Sequence, residues 1–262
     1  MIGRGQGSIA ITALALRLCT LTRKTHTTSM AAARPTLPPR AVLWDVDGTL
    51  SDSARLGISA TNVVLARRGL PAVDEAAYHA GTRFTTARRL AWHVSGCPDD
   101  PGAEALGREF DQLYVAQVSR ATAPLFAGVD DTLRQLAAEH GCVFGAVSNA
   151  CTAYAEAVLA SNDIAALFPV ALGADAVTAA KPAPDGLLEC ARRLGVDPAR
   201  CVYVGDSPTD GLAAAAAGMR SVGVTWGSFA ADALAPRFES LAHTPAELLA
   251  ALRLALAAMC DA

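Results

Sequence analysis

Four short apolar runs punctuate the chain, and three of them stop abruptly at polar clusters. Arg40-Ala-Val-Leu-Trp44 ends at Asp45-Val46-Asp47-Gly48-Thr49, Cys142-Val-Phe-Gly-Ala-Val147 at Ser148-Asn149, and Cys201-Val-Tyr-Val204 at Gly205-Asp206. Ser221-Val-Gly-Val-Thr225 is the fourth. Runs this short, bounded by turn residues, predict buried strands. Helical segments lie between them. Asp130 to His140 stops at Gly141, and Pro184 opens a segment that Gly195 closes. Pro208 to Ala217 stops at Gly218, and Thr244-Pro-Ala-Glu247 reads as a capping box. The helix after that box carries Leu248, Leu249, Leu252, Leu256 and Met259 along one face. Strands alternating with helices predict an α/β fold, a parallel sheet with helices on both faces. Ligands of such sheets bind beyond the carboxyl ends of the strands, which is where the polar clusters fall.

The stretch from Ala54 to Ala123 breaks this rhythm. It holds no convincing buried strand, but helical patterns at residues 56–68 and 104–118 flank a polar loop around Gly81-Thr82-Arg83-Phe84-Thr85. It predicts an inserted α-helical cap domain over residues 54–125, with the core formed by residues 39–53 and 126–262.

Composition changes the picture in three places. At 52% hydrophobic but only 5% aromatic, the 262 residues must build their core mainly from Ala, Leu and Val. The formal charge of −3 hides an asymmetry, because residues 1–40 carry six basic side chains and no acid. The remainder therefore keeps 16 of the 22 basic residues against all 25 acidic ones. That balance argues against a nucleic-acid partner. Residues 1–38, rich in Ser, Thr, Ala and Arg, have the composition of a targeting peptide followed by a stiff Pro-containing linker. A plastid or mitochondrion is the expected destination, and the cytoplasm if the segment is no address. No apolar run is long enough to predict a membrane span. The seven cysteines form no CxxC pair, so they read as small buried hydrophobes rather than zinc ligands.

The third place is lysine. The chain has two, Lys24 and Lys181, and writes all other positive charge as arginine. A lysine kept in Lys181-Pro-Ala-Pro suggests a space that takes a compact ammonium and not a planar guanidinium. It lies between two acidic clusters, Asp45–Asp47 and Asp206–Asp210. Two carboxylates two apart on a glycine-containing turn can divide labour: Asp45 as a nucleophile forming an aspartyl-phosphate, Asp47 as acid and then base. Gly48 would let backbone N–H groups approach a phosphate, with Thr49, Ser148 and Asn149 adding donors. Asp206 with Asp45 offers hard oxygen ligands for Mg²⁺, and Asp210, one helical turn on, can bind the metal or its water. Lys181 supplies the second positive charge that phosphoryl transfer needs.

With these motifs in this order, the chain resembles a haloacid dehalogenase-type hydrolase of the phosphoglycolate phosphatase-like branch, over roughly residues 40–230. Asp45-Val-Asp-Gly-Thr-Leu-Ser-Asp-Ser53, Ser148-Asn149, Lys181-Pro182 and Gly205-Asp206-Ser-Pro-Thr-Asp210 resemble the family's four motifs. The resemblance implies a Rossmann-like core, a helical cap between the first two motifs, and Mg²⁺ held by Asp45, Asp206 and the backbone carbonyl of Asp47. It implies a small phosphorylated metabolite as substrate. Asp47 separates the family's phosphatases and mutases from its dehalogenases. The phosphonate-cleaving members need a cap lysine, and this chain has none between Lys24 and Lys181. The cap loop meets the leaving group in this family, which makes Arg83, Arg88 and nearby Arg89 the candidates for substrate choice. An arginine there would suit the carboxylate of 2-phosphoglycolate. Sugar phosphates, nucleotides, pyrophosphate, a phosphomutase and a non-catalytic binding protein remain the alternatives.

Overall fold

In this computed structural model, residues 39–140 and 142–259 are described; they belong to one compact unit, residues 37–262. The targeting-peptide reading of residues 1–38 and the Gly141 helix stop lie outside the described residues. The expected parallel sheet is present with six strands, in the order β3-β2-β1-β4-β5-β6 and parallel throughout. The strands are β1 (Ala41–Trp44), β2 (Val143–Val147), β3 (Val170–Leu172), β4 (Cys201–Gly205), β5 (Arg220–Val224) and β6 (Ser240–Ala242). Four of them coincide with the apolar runs. The additional two, β3 and β6, are three-residue edge strands, too short to leave a pattern in the sequence.

Alternation along β1 divides the core. Val42 and Trp44 point to one face with Phe144, and Ala41 and Leu43 to the other with Tyr203. The first face is covered by α5 (Val129–His140), α6 (Thr152–Ser161) and α10 (Pro245–Ala258), the second by α7 (Asp185–Leu194) and α8 (Pro208–Ala216). The helix punctuation follows the chemistry of the residues. Gly195 ends α7 in the left-handed region at φ 69°, where a Cβ would be strained. Thr244 Oγ1 accepts from the Glu247 N–H at 3.2 Å, capping α10. Glu247 reaches the His243 N–H at 2.8 Å instead of that of Thr244, a one-residue variation on the capping box.

The insertion folds as four helices: α1 (Ala54–Ala66), α2 (Glu75–Gly81), α3 (Thr86–Ser95) and α4 (Ala103–Ala116). The polar loop expected at residues 81–85 is the junction between α2 and α3. Helix α3 buries Leu90 and Ala91 against Leu106 and Phe110 of α4 while presenting arginines elsewhere. The segments entering and leaving the cap bond to each other, Asp52 N–H to Pro124 O at 2.8 Å and Phe126 N–H to Leu50 O at 3.0 Å. The cap is thereby seated beside the carboxyl end of β1. Among the described residues, no helix is long and apolar enough to cross a membrane.

Candidate active site

The site grows from the end of β1. Asp45 N–H donates to Val204 O at 2.9 Å, so the β1–β4 ladder fixes the backbone up to the first carboxylate. The chain then turns sharply at Gly48, whose φ is +79°. A Cβ there would also lie 2.2 Å from Asp206 Oδ2, so glycine serves both the turn and the close approach of the second acidic loop. Gly227 does the same from the loop after β5, where a Cβ would again meet Asp206 Oδ2 at 2.2 Å. The Gly48 N–H donates to Ser51 O at 2.9 Å. Thr49 is fully buried, with Oγ1 at 3.5 Å from Asp45 Oδ2 and 3.4 Å from Asp206 Oδ1. It bridges the two acidic loops.

The Lys181 ammonium is buried among four polar partners. Its Nζ lies 2.6 Å from Asp45 Oδ1, 2.7 Å from Asp210 Oδ1, 2.8 Å from Tyr203 Oη and 3.0 Å from Val147 O. Burial pulls the Lys181 pKa down, but Asp210 and Asp45 overcome it and the net shift is upward, so the lysine stays charged. Asp210 Oδ2 accepts from both the N–H (3.0 Å) and Oγ (2.7 Å) of Ser207, which caps α8. Both Asp210 oxygens are therefore engaged, and it holds Lys181 and the helix start in place.

Asp45, Asp206 and Asp210 are buried, with one oxygen from each within 4.8 Å of the others. Three carboxylates face one ammonium there, and the imbalance shows in their acidity. Burial pushes Asp206 up to about 7, with Asp210 adding to the effect. Asp45 is likewise raised well above the usual range, by burial first, with Lys181 opposing and Asp210 and Asp206 reinforcing. A cluster that is costly to ionise, made of hard oxygen donors and short of positive charge, fits a divalent cation.

Asp47 sits apart from this cluster under a ring of hydroxyls. Its Oδ1 accepts from Ser53 Oγ (2.6 Å), Tyr154 Oη (2.6 Å) and Tyr114 Oη (2.8 Å). Among the described residues its Oδ2 has only Ser148 Oγ, at 3.3 Å. Asn149 Nδ2 donates to Lys181 O at 3.0 Å, tying the end of β2 to the lysine loop, and its Oδ1 is buried without a partner among the described residues.

Asp45, Asp47, Ser148, Asn149, Lys181 and Asp206 line one cavity of about 90 Å³. The cap closes it with Tyr78, Thr82, Phe84, Thr86 and Arg89. Arg83 and Arg88 do not line it. Both are exposed and pack over the Phe84 ring, and Arg88 pairs with Asp99. Arg89 is the arginine turned inward. It is 5% exposed, sandwiched between the rings of Tyr78 and Phe110 at 4.6 and 4.7 Å, with Nη1 lacking any hydrogen-bond partner among the described residues.

Residues 42–224 match the haloacid dehalogenase-like hydrolase family. The chain belongs to that family. It is 40% identical over 193 residues to a phosphoglycolate phosphatase of Xanthomonas campestris pv. campestris, an alignment covering 72% of this chain and 84% of the relative. It is 36% identical over 221 residues to one from Yersinia pseudotuberculosis, covering 82% and 94%. A solved haloacid dehalogenase-like hydrolase from Bacteroides fragilis superposes with a TM-score of 0.72 at 27% identity, covering 80% of this chain and 99% of the other.

Within this hydrolase the sequence motifs account for the charged residues and miss the tyrosines. The chain has four, Tyr78, Tyr114, Tyr154 and Tyr203. All four are buried, and each lines the cavity or hydrogen-bonds to Asp47 or Lys181. Their scarcity was the available signal, as it was for lysine. Their positions in helices and mid-strand, remote from any motif, concealed it.

Proposed function

We propose that this phosphatase of the haloacid dehalogenase-like family hydrolyses 2-phosphoglycolate to glycolate and phosphate, with Mg²⁺ as its metal. Arg89 carries the reading. Arg89 lines the cavity that Asp45 opens into, and among the described residues its buried Nη1 has no hydrogen-bond partner. A substrate with a phosphate at one end and a carboxylate at the other would satisfy both. The cavity, about 90 Å³, is in keeping with a small phosphoester. The names of the curated relatives point the same way.

The chemistry follows from the side chains. Lys181 clamps Asp45 Oδ1 and orients the carboxylate for in-line attack on phosphorus. The new bond forms between an Asp45 oxygen and phosphorus as the glycolate oxygen leaves. Asp47 gives that oxygen its proton, then takes one from the water that attacks the aspartyl-phosphate, returning Asp45 free. Mg²⁺, held by Asp45, Asp206 and the Asp47 carbonyl with Asp210 beside them, would supply the charge that stabilises the phosphoryl oxygens. Ser148 and Asn149 line the cavity at the end of β2 and would receive the phosphate there.

The purified protein should release phosphate from 2-phosphoglycolate in preference to glucose phosphates, nucleotides and pyrophosphate. Chelator should abolish turnover, and Asp45→Asn should lower it more than about 10³-fold with the fold intact. Preference for a phosphosugar or nucleotide would refute the substrate. A folded, Mg²⁺-supplied protein inert on every phosphomonoester would refute the reaction.

A further inference from the structure

The grip on Asp47 is asymmetric, and it spans two parts of the molecule. Tyr114 comes from α4 in the cap and Tyr154 from α6 in the core. Their rings stack at 4.0 Å with an interplanar angle of 13°, and their hydroxyls lie 3.0 Å apart. Both hydroxyls meet the same carboxylate oxygen, where Ser53 adds a third donor. Three donors exceed the two lone-pair directions of one carboxylate oxygen. Distances of 2.6–2.8 Å are those of well-formed O–H···O hydrogen bonds. Oδ1 is thereby saturated, while Oδ2 keeps a single long contact, 3.3 Å to Ser148.

We propose that Tyr114 and Tyr154 are positioning residues for the acid/base step: together they pin Asp47 by Oδ1 and leave Oδ2 as the oxygen that exchanges the proton. The inference rests on the role proposed above for Asp47. No proton leaves either tyrosine. Burial first, and then the Asp47 charge, raise both phenols well above their usual pKa, so they remain donors throughout. Because one donor comes from the cap and one from the core, Asp47 is fully held only while the cap is seated. Its readiness is thereby tied to closure over substrate.

Hydroxyl removal tests this while keeping the rings that pack. The assay uses the alkyl phosphomonoester that the wild-type protein turns over fastest, so it does not depend on 2-phosphoglycolate being the substrate. Tyr114→Phe and Tyr154→Phe should each lower kcat about 10-fold, and the pair about 100-fold, with KM within about 3-fold. In an Asp47→Asn background the same changes should cost nothing further, because nothing is left to position. Single-turnover phosphoryl transfer from acetyl phosphate, whose acetate leaves without a proton, should stay near the wild-type rate in both single variants. Melting curves establish that the variants fold; if the pair does not, the single variants carry the test. Wild-type or raised kcat would overturn the proposal, the latter meaning that the tyrosines hold Asp47 away from its work. Equal losses with and without Asp47 would also overturn it. A wild-type protein that turns over no phosphomonoester would overturn the hydrolase reading and this proposal together.

Discussion

Asp206 shows most directly what the site is built to receive. An unfolded aspartate ionises near 3.9, whereas burial and Asp210 push this one up to about 7. The folded protein therefore keeps a proton that the unfolded chain has already lost. Stability from this group is full below about pH 4 and disappears as the pH rises to about 7. A divalent ion reverses the balance by holding the carboxylate ionised, and its binding releases that proton. The gain in Tm on adding Mg²⁺ should therefore be larger at about pH 8 than at about pH 5; equal gains at both would contradict the assignment of the cluster. Lys181 works beside it in a different way. Four partners surround one ammonium, and a guanidinium would bring a plane of five donors into a space shaped for a point charge. The chain's scarcity of lysine is thus a trace of that geometry. Tyr114 and Tyr154 left an equal trace in composition, but no motif surrounds them, and only the fold brings residues 40 positions apart onto one carboxylate.

At the scale of elements, legibility followed burial. Strands β1, β2, β4 and β5 lie inside the sheet and had to be apolar runs. Edge strands β3 and β6 are three residues long and could be almost anything. Helices α1 and α4 wrote their periodicity openly, whereas α3 hid its apolar face behind Arg88 and Arg89. That concealment explains why the three cap arginines looked equivalent in sequence. The helix turns Arg88 outward and Arg89 inward, a distinction set by the fit of α3 on α4. At the crossing, Gly107 of α4 lies so close that a Cβ would stand 3.0 Å from the Ala87 Cα. Gly107→Val should push the helices apart, destabilise the protein by about 1–3 kcal/mol and displace Arg89. A urea melt checks the first effect, and a fall in kcat/KM for an acidic phosphoester checks the second. Unchanged stability and selectivity would mean that the crossing does not position the arginine.

On the scale of the whole molecule, charge is divided between the core and the cap of one compact unit. The core gathers the carboxylates and Lys181 at the strand ends, where any phosphomonoester could be attacked. The cap contributes the inward arginine, its aromatic sleeve and one of the tyrosines on Asp47. In the function proposed, reaction would belong to the core and selection to the cap, meeting across a cavity of about 90 Å³. The central claim is that Arg89 reads the substrate's carboxylate. It is tested most directly by comparing kcat/KM for 2-phosphoglycolate with that for 2-hydroxyethyl phosphate, its analogue lacking the carboxylate, in the wild-type protein and in Arg89→Gln. A buried charged hydrogen bond is worth about 1.5–3 kcal/mol. The wild-type protein should therefore prefer the carboxylate-bearing substrate by about 10–100-fold, and the variant should lose that preference while hydrolysing the hydroxyl analogue at nearly the wild-type rate. An equal fall on both substrates, or a preference that survives the substitution, would contradict the claim.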